Sequence, residues 1–150
     1  MRIDLPIESE RLVIRPLVIE DAEDLGESAD WIQEKICRFE RDDGMSLWAA
    51  VDRESGKAVA LAGFQWEQIE GRRELDIGCV VAAHAQERGY GTEASEALLR
   101  AAFAAGFERV TALTFPDNVR ALRILERLGF EPQGETTFEG RLYAFFVRRG

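Results

Sequence analysis

A glycine-rich turn that leads directly into a helical segment is the feature that most restricts what this chain can form. Gly89 and Gly91 stand one residue apart, and the run from Glu93 to Ala105 is rich in residues that favour a helix. The first amides of a helix have no partner inside it, and the positive end of the helix dipole lies at the same place. Glycine allows close approach to this backbone and tolerates a positive φ, and Arg88 adds a mobile positive charge. The turn therefore predicts a site for a phosphate-bearing cofactor, with a glycine loop that binds nothing as the alternative.

Length and charge narrow the class of protein. A chain of 150 residues suits one domain, which we expect to cover residues 1–150. No apolar run approaches the roughly 18 residues that cross a membrane, and the segment Met1–Pro6 is too polar for a signal peptide, so we expect a cytoplasmic protein without a membrane partner. The net charge of -9 argues against nucleic acid as a partner. Two cysteines and one histidine do not suggest a metal site, so no metal is expected.

The pattern before the glycine turn predicts mainly strands. Alternating or apolar runs predict strands over residues 11–17, 46–51, 58–67 and 74–81, with a turn at 70–73. An amphipathic pattern predicts a helix beginning near Ile19 and a second one around Trp31 to Phe39, with Asp30 as its N-cap. The last three strands therefore form an antiparallel meander directly ahead of the turn.

The pattern after the turn predicts a parallel step. The helix over 93–105 is followed by a strand over 109–115, and a strand–helix–strand unit implies a right-handed parallel crossover. A helix opening at Asn118 and a closing hairpin around Glu139–Gly140 complete the chain. The predicted fold class is α/β in the α+β sense, with a mixed, mostly antiparallel sheet that has one parallel step and is flanked by helices.

The glycine turn also fits the dinucleotide pattern G-x-G-x-x-G/A over Gly89–Ala94. That pattern requires the glycines to follow a strand immediately. Here Ala82–Arg88 separate the strand from the first glycine, and a meander precedes the turn instead of a doubly wound unit. Dinucleotide binding is therefore disfavoured.

Four motifs together resemble the GNAT family of N-acetyltransferases. Gln86–Gly91 matches that family's cofactor motif Q/R-x-x-G-x-G/A. Ser9–Leu17 and Asp76–Gly78 resemble the opening strand and the acid-Ile-Gly strand of the branch that includes the ribosomal-protein N-terminal acetyltransferases. Asn118 with Leu125–Phe130 resembles that branch's Asn-led helix ending in "LGF". The matches run from residue 9 to residue 130 in the family's order and spacing.

The resemblance implies how a cofactor binds. Acetyl-CoA would lie between the parallel strands 74–81 and 109–115, which splay apart in the family. Its pyrophosphate would sit on the amides of residues 88–92, and its pantetheine would pair with the strand backbone at residues 79–81. The implied cofactor-binding residues are Cys79, Val80, Val81, Gln86, Arg88, Gly89, Tyr90, Gly91, Thr92 and Asn118. The acceptor amine would attack the thioester directly, without a metal.

Two acids and one amide are the catalytic candidates. Glu74 and Asp76 are two residues apart on one strand, so both face the same side, where a carboxylate could take the proton of an attacking amine. Asp76 occupies the position of the branch's acid and Glu74 is the second candidate, while a strand face paired with Arg72 or Arg73 is the alternative. The resemblance places Asn118 at the pantetheine or acetyl group, and a helix N-cap is its alternative role.

Two departures from the family keep a second function open. Leu125 and Ala121 stand where many members carry a Tyr or a Ser hydroxyl. The leaving thiolate would then take its proton from water or from another group such as Tyr143. A non-catalytic acyl-CoA-binding module of the same fold is therefore the alternative to the enzyme. The acceptor implied by the resemblance is a peptide or protein N-terminus or a small amine, and a homodimer is an open alternative because members commonly dimerise.

Overall fold

Eight strands form one sheet in the computed structural model, which describes residues 1–150. The strands are β1 Ile7–Glu8, β2 Leu12–Arg15, β3 Leu47–Asp52, β4 Ala58–Ile69, β5 Arg72–Val81, β6 Arg109–Thr114, β7 Glu131–Phe138 and β8 Arg141–Arg149. The helices are α1 Asp21–Leu25, α2 Ala29–Arg41, α3 Tyr90–Ala104 and α4 Val119–Arg127. The strand order across the sheet is β1-β2-β3-β4-β5-β6-β8-β7. None of the four helices combines the length and apolar character that a membrane crossing requires.

The meander ahead of the glycine turn is confirmed, with a tighter last hairpin than predicted. β3, β4 and β5 pair antiparallel in sequence order. Glu70 and Gly71 alone connect β4 to β5, with φ of 51° and 75°, a left-handed geometry that suits the twist of a two-residue hairpin. The predicted turn at 70–73 was therefore too long, because the strands continue to the two turn residues.

The parallel step is the point where the sheet opens. β5 and β6 run parallel but are bridged at one residue pair only, Asp76 with Thr111. Beyond this pair β5 stays bonded to β4, and β6 stays bonded to β8. A gap therefore separates the two strands after Asp76. The predicted fold class is confirmed: the sheet is mixed and mostly antiparallel, with one parallel, splayed strand pair and flanking helices.

The two faces of the sheet are covered by different helices. α3 lies on one face, and a stripe of mostly small residues on one side of the helix allows it to pack closely on the sheet. The buried residues of this stripe are Ala94, Ala97, Leu98 and Ala102. α1 and α2 cover the opposite face, where Leu25 and Ile32 join a separate apolar cluster. The gap between β5 and β6 thus opens toward α3 on one face of the sheet and toward the face covered by α1 and α2 on the other.

Two helices begin earlier than the sequence predicts. α3 begins three residues before the predicted Glu93, because Gly89 adopts the left-handed conformation (φ 78°) and serves as its N-cap. α2 begins before Asp30, which is not its cap. Ser28 has an extended backbone and its Oγ accepts a hydrogen bond from the amide of Trp31 at 3.1 Å. Asp30 instead lies in the first turn, where its negative charge suits the helix dipole.

The space around two facing glycines of the meander predicts which of them is more destabilising to replace. A Cβ at Gly63 would overlap the carbonyl oxygen of Ser46, whereas a Cβ at the facing Gly78 would meet only the Cδ2 of Leu47 at 2.8 Å. A leucine methyl can rotate away and a backbone carbonyl cannot. We expect Gly63→Ala to lower the free energy of unfolding by about 1–3 kcal/mol or more, and Gly78→Ala to lower it less. Urea unfolding of both variants checks this, and an equal or smaller loss for Gly63→Ala would contradict it.

Candidate active site

The free edge of β5 forms one wall of the gap. From Ile77 to Val81 this strand is bonded to β4 on one side only, so its other edge presents unpaired backbone groups. Cys79, Val80 and Val81 all lie on this edge, where the resemblance places the pantetheine. The side chain of Cys79 turns toward α3, with its Sγ 3.9 Å from the carbonyl oxygen of Gly91. Burial raises the pKa of this thiol to about 11, so it stays protonated at neutral pH.

The amino terminus of α3 closes the end of this edge. The first bond inside the helix runs from the amide of Glu93 to the carbonyl of Gly89, so the amides of Tyr90, Gly91 and Thr92 precede it. A positive φ explains the glycine at position 89 but not at 91. A Cβ at Gly91 would lie 3.4 Å from Cγ2 of Val81, so close approach is the reason for this glycine. Gln86 and Arg88 are exposed on the loop before the helix.

Arg11 braces the glycine turn, a role that the sequence interpretation missed. Its Nε donates to Oε1 of Glu93 at 2.6 Å, and its Nη1 donates to the carbonyl of Arg88 at 2.9 Å. Its guanidinium also lies over the ring of Tyr90, 4.4 Å from the centroid. The amide of Arg11 and the hydroxyl of Ser9 donate to the other carboxylate oxygen at 2.8 and 2.6 Å. Although burial acts to raise it, these hydrogen bonds lower the pKa of Glu93, so its negative charge is held beside the helix terminus and compensated by Arg11.

Asp76 stands at the bridge where the gap begins. Its Oδ1 accepts a hydrogen bond from the hydroxyl of Thr111 at 2.8 Å, and Thr111 is fully buried. Its Oδ2 has no hydrogen-bond partner in the protein and is not completely buried. Burial raises the pKa of Asp76 to about 8, and the charges of Glu67 and Glu74 act in the same direction. The carboxyl group can thus exchange a proton near neutral pH, and Oδ2 is the oxygen that no protein group occupies.

Glu74 shares the face of Asp76, as predicted, but its carboxylate is occupied. Arg109 on β6 holds both oxygens, with contacts of 2.8, 3.0 and 3.1 Å. The carboxylate lies 3.7 Å from Nε of Arg72, one of the partners that the sequence suggested, but the close partner is Arg109. Because Glu74 is 3% exposed and bidentately paired, the pair acts as a clasp between β5 and β6 ahead of the bridge.

Asn118 is the N-cap of α4. Its Oδ1 accepts a hydrogen bond from the amide of Ala121 at 3.1 Å, and the residue is exposed. The amide nitrogen of the side chain has no protein partner. Leu125 packs in the main core, so the position where family members carry a hydroxyl holds an apolar side chain. Tyr143 stacks on Phe115 with ring centroids 5.1 Å apart, at the far end of β6 from the bridge.

A comparison with models of known families identifies the protein family of this chain. The family model of the acetyltransferase (GNAT) domain matches residues 11–131. The chain belongs to the GNAT acetyltransferase family. The matched span contains most of the opening-strand motif and all of the acid-Ile-Gly strand, the glycine turn and the Asn-led helix ending in "LGF", so the resemblance inferred from these motifs is confirmed.

One curated protein and several solved structures are similar to this chain. The uncharacterised protein YkkB of Bacillus subtilis (strain 168) is 31% identical over 112 residues, which cover 74% of this chain and 63% of that protein. A Bordetella pertussis protein assigned to the same family superposes with a TM-score of 0.80 at 25% identity over 97% of this chain and 99% of that one. The ribosomal L7/L12 α-N-protein acetyltransferase RimL, solved with coenzyme A, has a TM-score of 0.74 at 16% identity over 96% of both chains.

The raised pKa of Asp76 predicts a pH-dependent stability. The pKa of an aspartate is about 3.9 in an unfolded chain, whereas burial raises the pKa of Asp76 to about 8 in the folded protein. Between these values the unfolded chain has lost a proton that the folded chain keeps, so the contribution of Asp76 to stability falls as pH rises from about 4 to about 8. In Asp76→Asn this dependence is removed. The free energy of unfolding of the variant relative to the wild type should therefore increase across that range, by on the order of a few kcal/mol.

Urea unfolding of both proteins at pH 4 to 9 measures the difference directly. The asparagine can still accept the hydrogen bond from Thr111, which makes it a conservative probe. A difference that stays constant across this range would show that the pKa of Asp76 is not raised in the folded protein.

Proposed function

We propose that this GNAT protein transfers the acetyl group of acetyl-CoA to a primary amine. One observation carries the proposal: the free edge of β5 starts at Asp76 and ends against the unpaired amides of α3. Cγ2 of Val81 on this edge is so near Gly91 that a Cβ added to this glycine would lie only 3.4 Å from it. The acid, the strand edge and the helix terminus thus follow one another along a single gap.

The arrangement suits the parts of acetyl-CoA in order. The pyrophosphate fits the amides of residues 88–92, with Gln86 and Arg88 exposed beside them. The pantetheine, which carries amide groups, fits the unpaired backbone of Cys79, Val80 and Val81 as an added strand. RimL, a structural neighbour, was solved with coenzyme A, which supports this reading of the shared fold. The thioester would then lie near the bridge, beside Asp76.

The proposed chemistry needs one proton acceptor and no covalent intermediate. The amine nitrogen forms a bond to the thioester carbonyl carbon, the C–S bond breaks, and the thiolate leaves. Oδ2 of Asp76 takes the proton of the amine, while Thr111 holds the other oxygen in place. The thiolate takes a proton from water, because Leu125 and Ala121 offer no hydroxyl.

Glu74 and Asn118 have supporting roles in the proposal. Glu74 was the second candidate for the base, but its pair with Arg109 favours Asp76 over it. The free side-chain nitrogen of Asn118 is positioned by the cap bond to Ala121 and is proposed to contact the acetyl or pantetheine group. The acceptor is proposed to be a peptide N-terminus or a small amine. A non-catalytic acyl-CoA-binding module is the second candidate, favoured by the missing hydroxyl groups.

Ligand binding tests the cofactor half of the proposal. Acetyl-CoA and CoA should each raise the Tm, by the equivalent of about 2.7 kcal/mol at a hundredfold excess over the Kd, whereas NAD should not. Arg11→Gln should weaken this stabilisation, because Glu93 would then face the phosphates without compensation. Adding Glu93→Gln to that variant should restore part of it. No shift with either CoA species would remove the basis for a pyrophosphate site at the glycine turn.

Turnover tests the catalytic half. Asp76→Asn should keep the stabilisation by CoA and lose about 10²–10⁴-fold in kcat/KM. In the wild type the rate should rise with pH through an inflection near pH 8, because Asp76 loses its proton there. The pH of this inflection should be the same for acceptors whose amines differ in pKa. If a broad panel of amines gives no turnover while CoA binds tightly, the acyl-CoA-binding module is the correct function. If Asp76→Asn is as active as the wild type, Asp76 is not the base.

A further inference from the structure

The side-chain amide of Gln65 on β4 is fixed at one end and free at the other. Its Oε1 accepts hydrogen bonds from Nζ of Lys35 at 3.0 Å and from Nη1 of Arg38 at 3.1 Å. Two cations on one oxygen determine the orientation of the amide, since the reverse orientation would place its NH₂ group against them. Its Nε2 donates to no protein group and is not completely buried. Gln65 therefore presents an oriented donor.

This donor lies beside the free oxygen of Asp76. The register of β4 and β5 places Gln65 directly opposite Asp76. Facing residues of an antiparallel pair project to the same side, with Cβ atoms about 4.5–5.5 Å apart. Neither Nε2 of Gln65 nor Oδ2 of Asp76 has a protein partner. A free donor and a free acceptor thus stand on facing positions of β4 and β5, at the bridge where the gap begins.

The two cations that orient the amide are themselves engaged within the protein. Lys35 also lies 3.3 Å from the carboxylate of Glu34 and over the ring of Trp31. Arg38 contacts the carboxylates of Glu67 at 3.0 Å and Asp42 at 3.5 Å. Their side chains are 11% and 18% exposed, so both cations are largely buried around Oε1 of Gln65, and Nε2 of the same amide is left without a protein partner.

We propose that Gln65 is an acceptor-binding residue that selects amines with a neighbouring carbonyl oxygen. The amine nitrogen donates to Oδ2 of Asp76, and the carbonyl oxygen accepts from Nε2 of Gln65. An α-amino carbonyl compound has these two atoms three bonds apart, which suits two side chains on facing positions of adjacent strands. The acceptor class is therefore an amino-acid amide or a peptide N-terminus, in preference to a simple alkylamine. This inference depends on the proposed acetyl transfer at the same site.

The test compares amine acceptors that have a neighbouring carbonyl oxygen with one that lacks it. Alaninamide, an alanine-led dipeptide amide and isopropylamine are compared at equal concentrations of free amine. In Gln65→Leu the KM of the two carbonyl-containing acceptors should rise about tenfold. The KM of isopropylamine and of acetyl-CoA should not change. A rise for the dipeptide amide alone would identify the peptide as the acceptor, and an equal rise for both would identify the shared α-amino carbonyl group.

Two further variants separate binding from a structural role. Gln65→Glu keeps an oxygen for Lys35 and Arg38 but replaces the donor by an acceptor, so it should raise KM as Gln65→Leu does. Gln68→Leu makes the same chemical change three residues away on the opposite, exposed face of β4, and should leave every KM unchanged. If Gln65→Glu behaves as the wild type, or if the KM of isopropylamine rises equally, the inference is wrong.

A binding measurement keeps this inference separate from acetyl transfer itself. In the CoA-saturated protein, the side-chain amide resonance of Gln65, assigned from its loss in Gln65→Leu, should shift on addition of alaninamide and not of isopropylamine. A shift without turnover would support the binding role and contradict the proposed activity. No shift with alaninamide would overturn the binding role, whatever the turnover.

Discussion

The early end of pairing between β5 and β6 is the constraint on which the rest of the structure depends. The two parallel strands meet at Asp76 and Thr111 and then separate, while the clasp of Glu74 and Arg109 holds them together ahead of that point. Separation leaves backbone groups of β5 without partners, and a free strand edge of this kind can pair with an added extended segment. The same bridge orients the carboxyl group of Asp76, because the hydroxyl of Thr111 donates a hydrogen bond to its Oδ1 at 2.8 Å.

Charge compensation around the glycine turn makes the other end of the gap suitable for an anion. A carboxylate in the first turn of α3 favours the helix but would repel a phosphate at the same terminus. Arg11 resolves this conflict, since one guanidinium neutralises Glu93 and also binds the carbonyl of Arg88 in the turn. The opening strand of the chain is thereby tied to the loop that is proposed to hold the pyrophosphate, which explains why residues near position 11 belong to the site.

The sequence predicted the features that are local. The glycine turn, the meander and the parallel crossover follow from residue patterns over short spans, and all three are present. The side chains that complete the site come from pairings over long separations, such as Arg11 with Glu93 and Arg109 with Glu74, which no local pattern encodes. The position of Gln65 depends on the length of one hairpin turn. The two-residue turn places it opposite Asp76, a register that the residue pattern of the two strands did not specify.

Amide hydrogen exchange in β5 tests the central claim most directly. The amides of residues 77–81 that point into the gap have no partner in the free protein, so they should exchange quickly. Saturation with CoA should slow their exchange together with that of Tyr90, Gly91 and Thr92, while the amides of β3 remain unchanged. If CoA binds and these amides exchange as before, the gap between β5 and β6 is not where the cofactor lies.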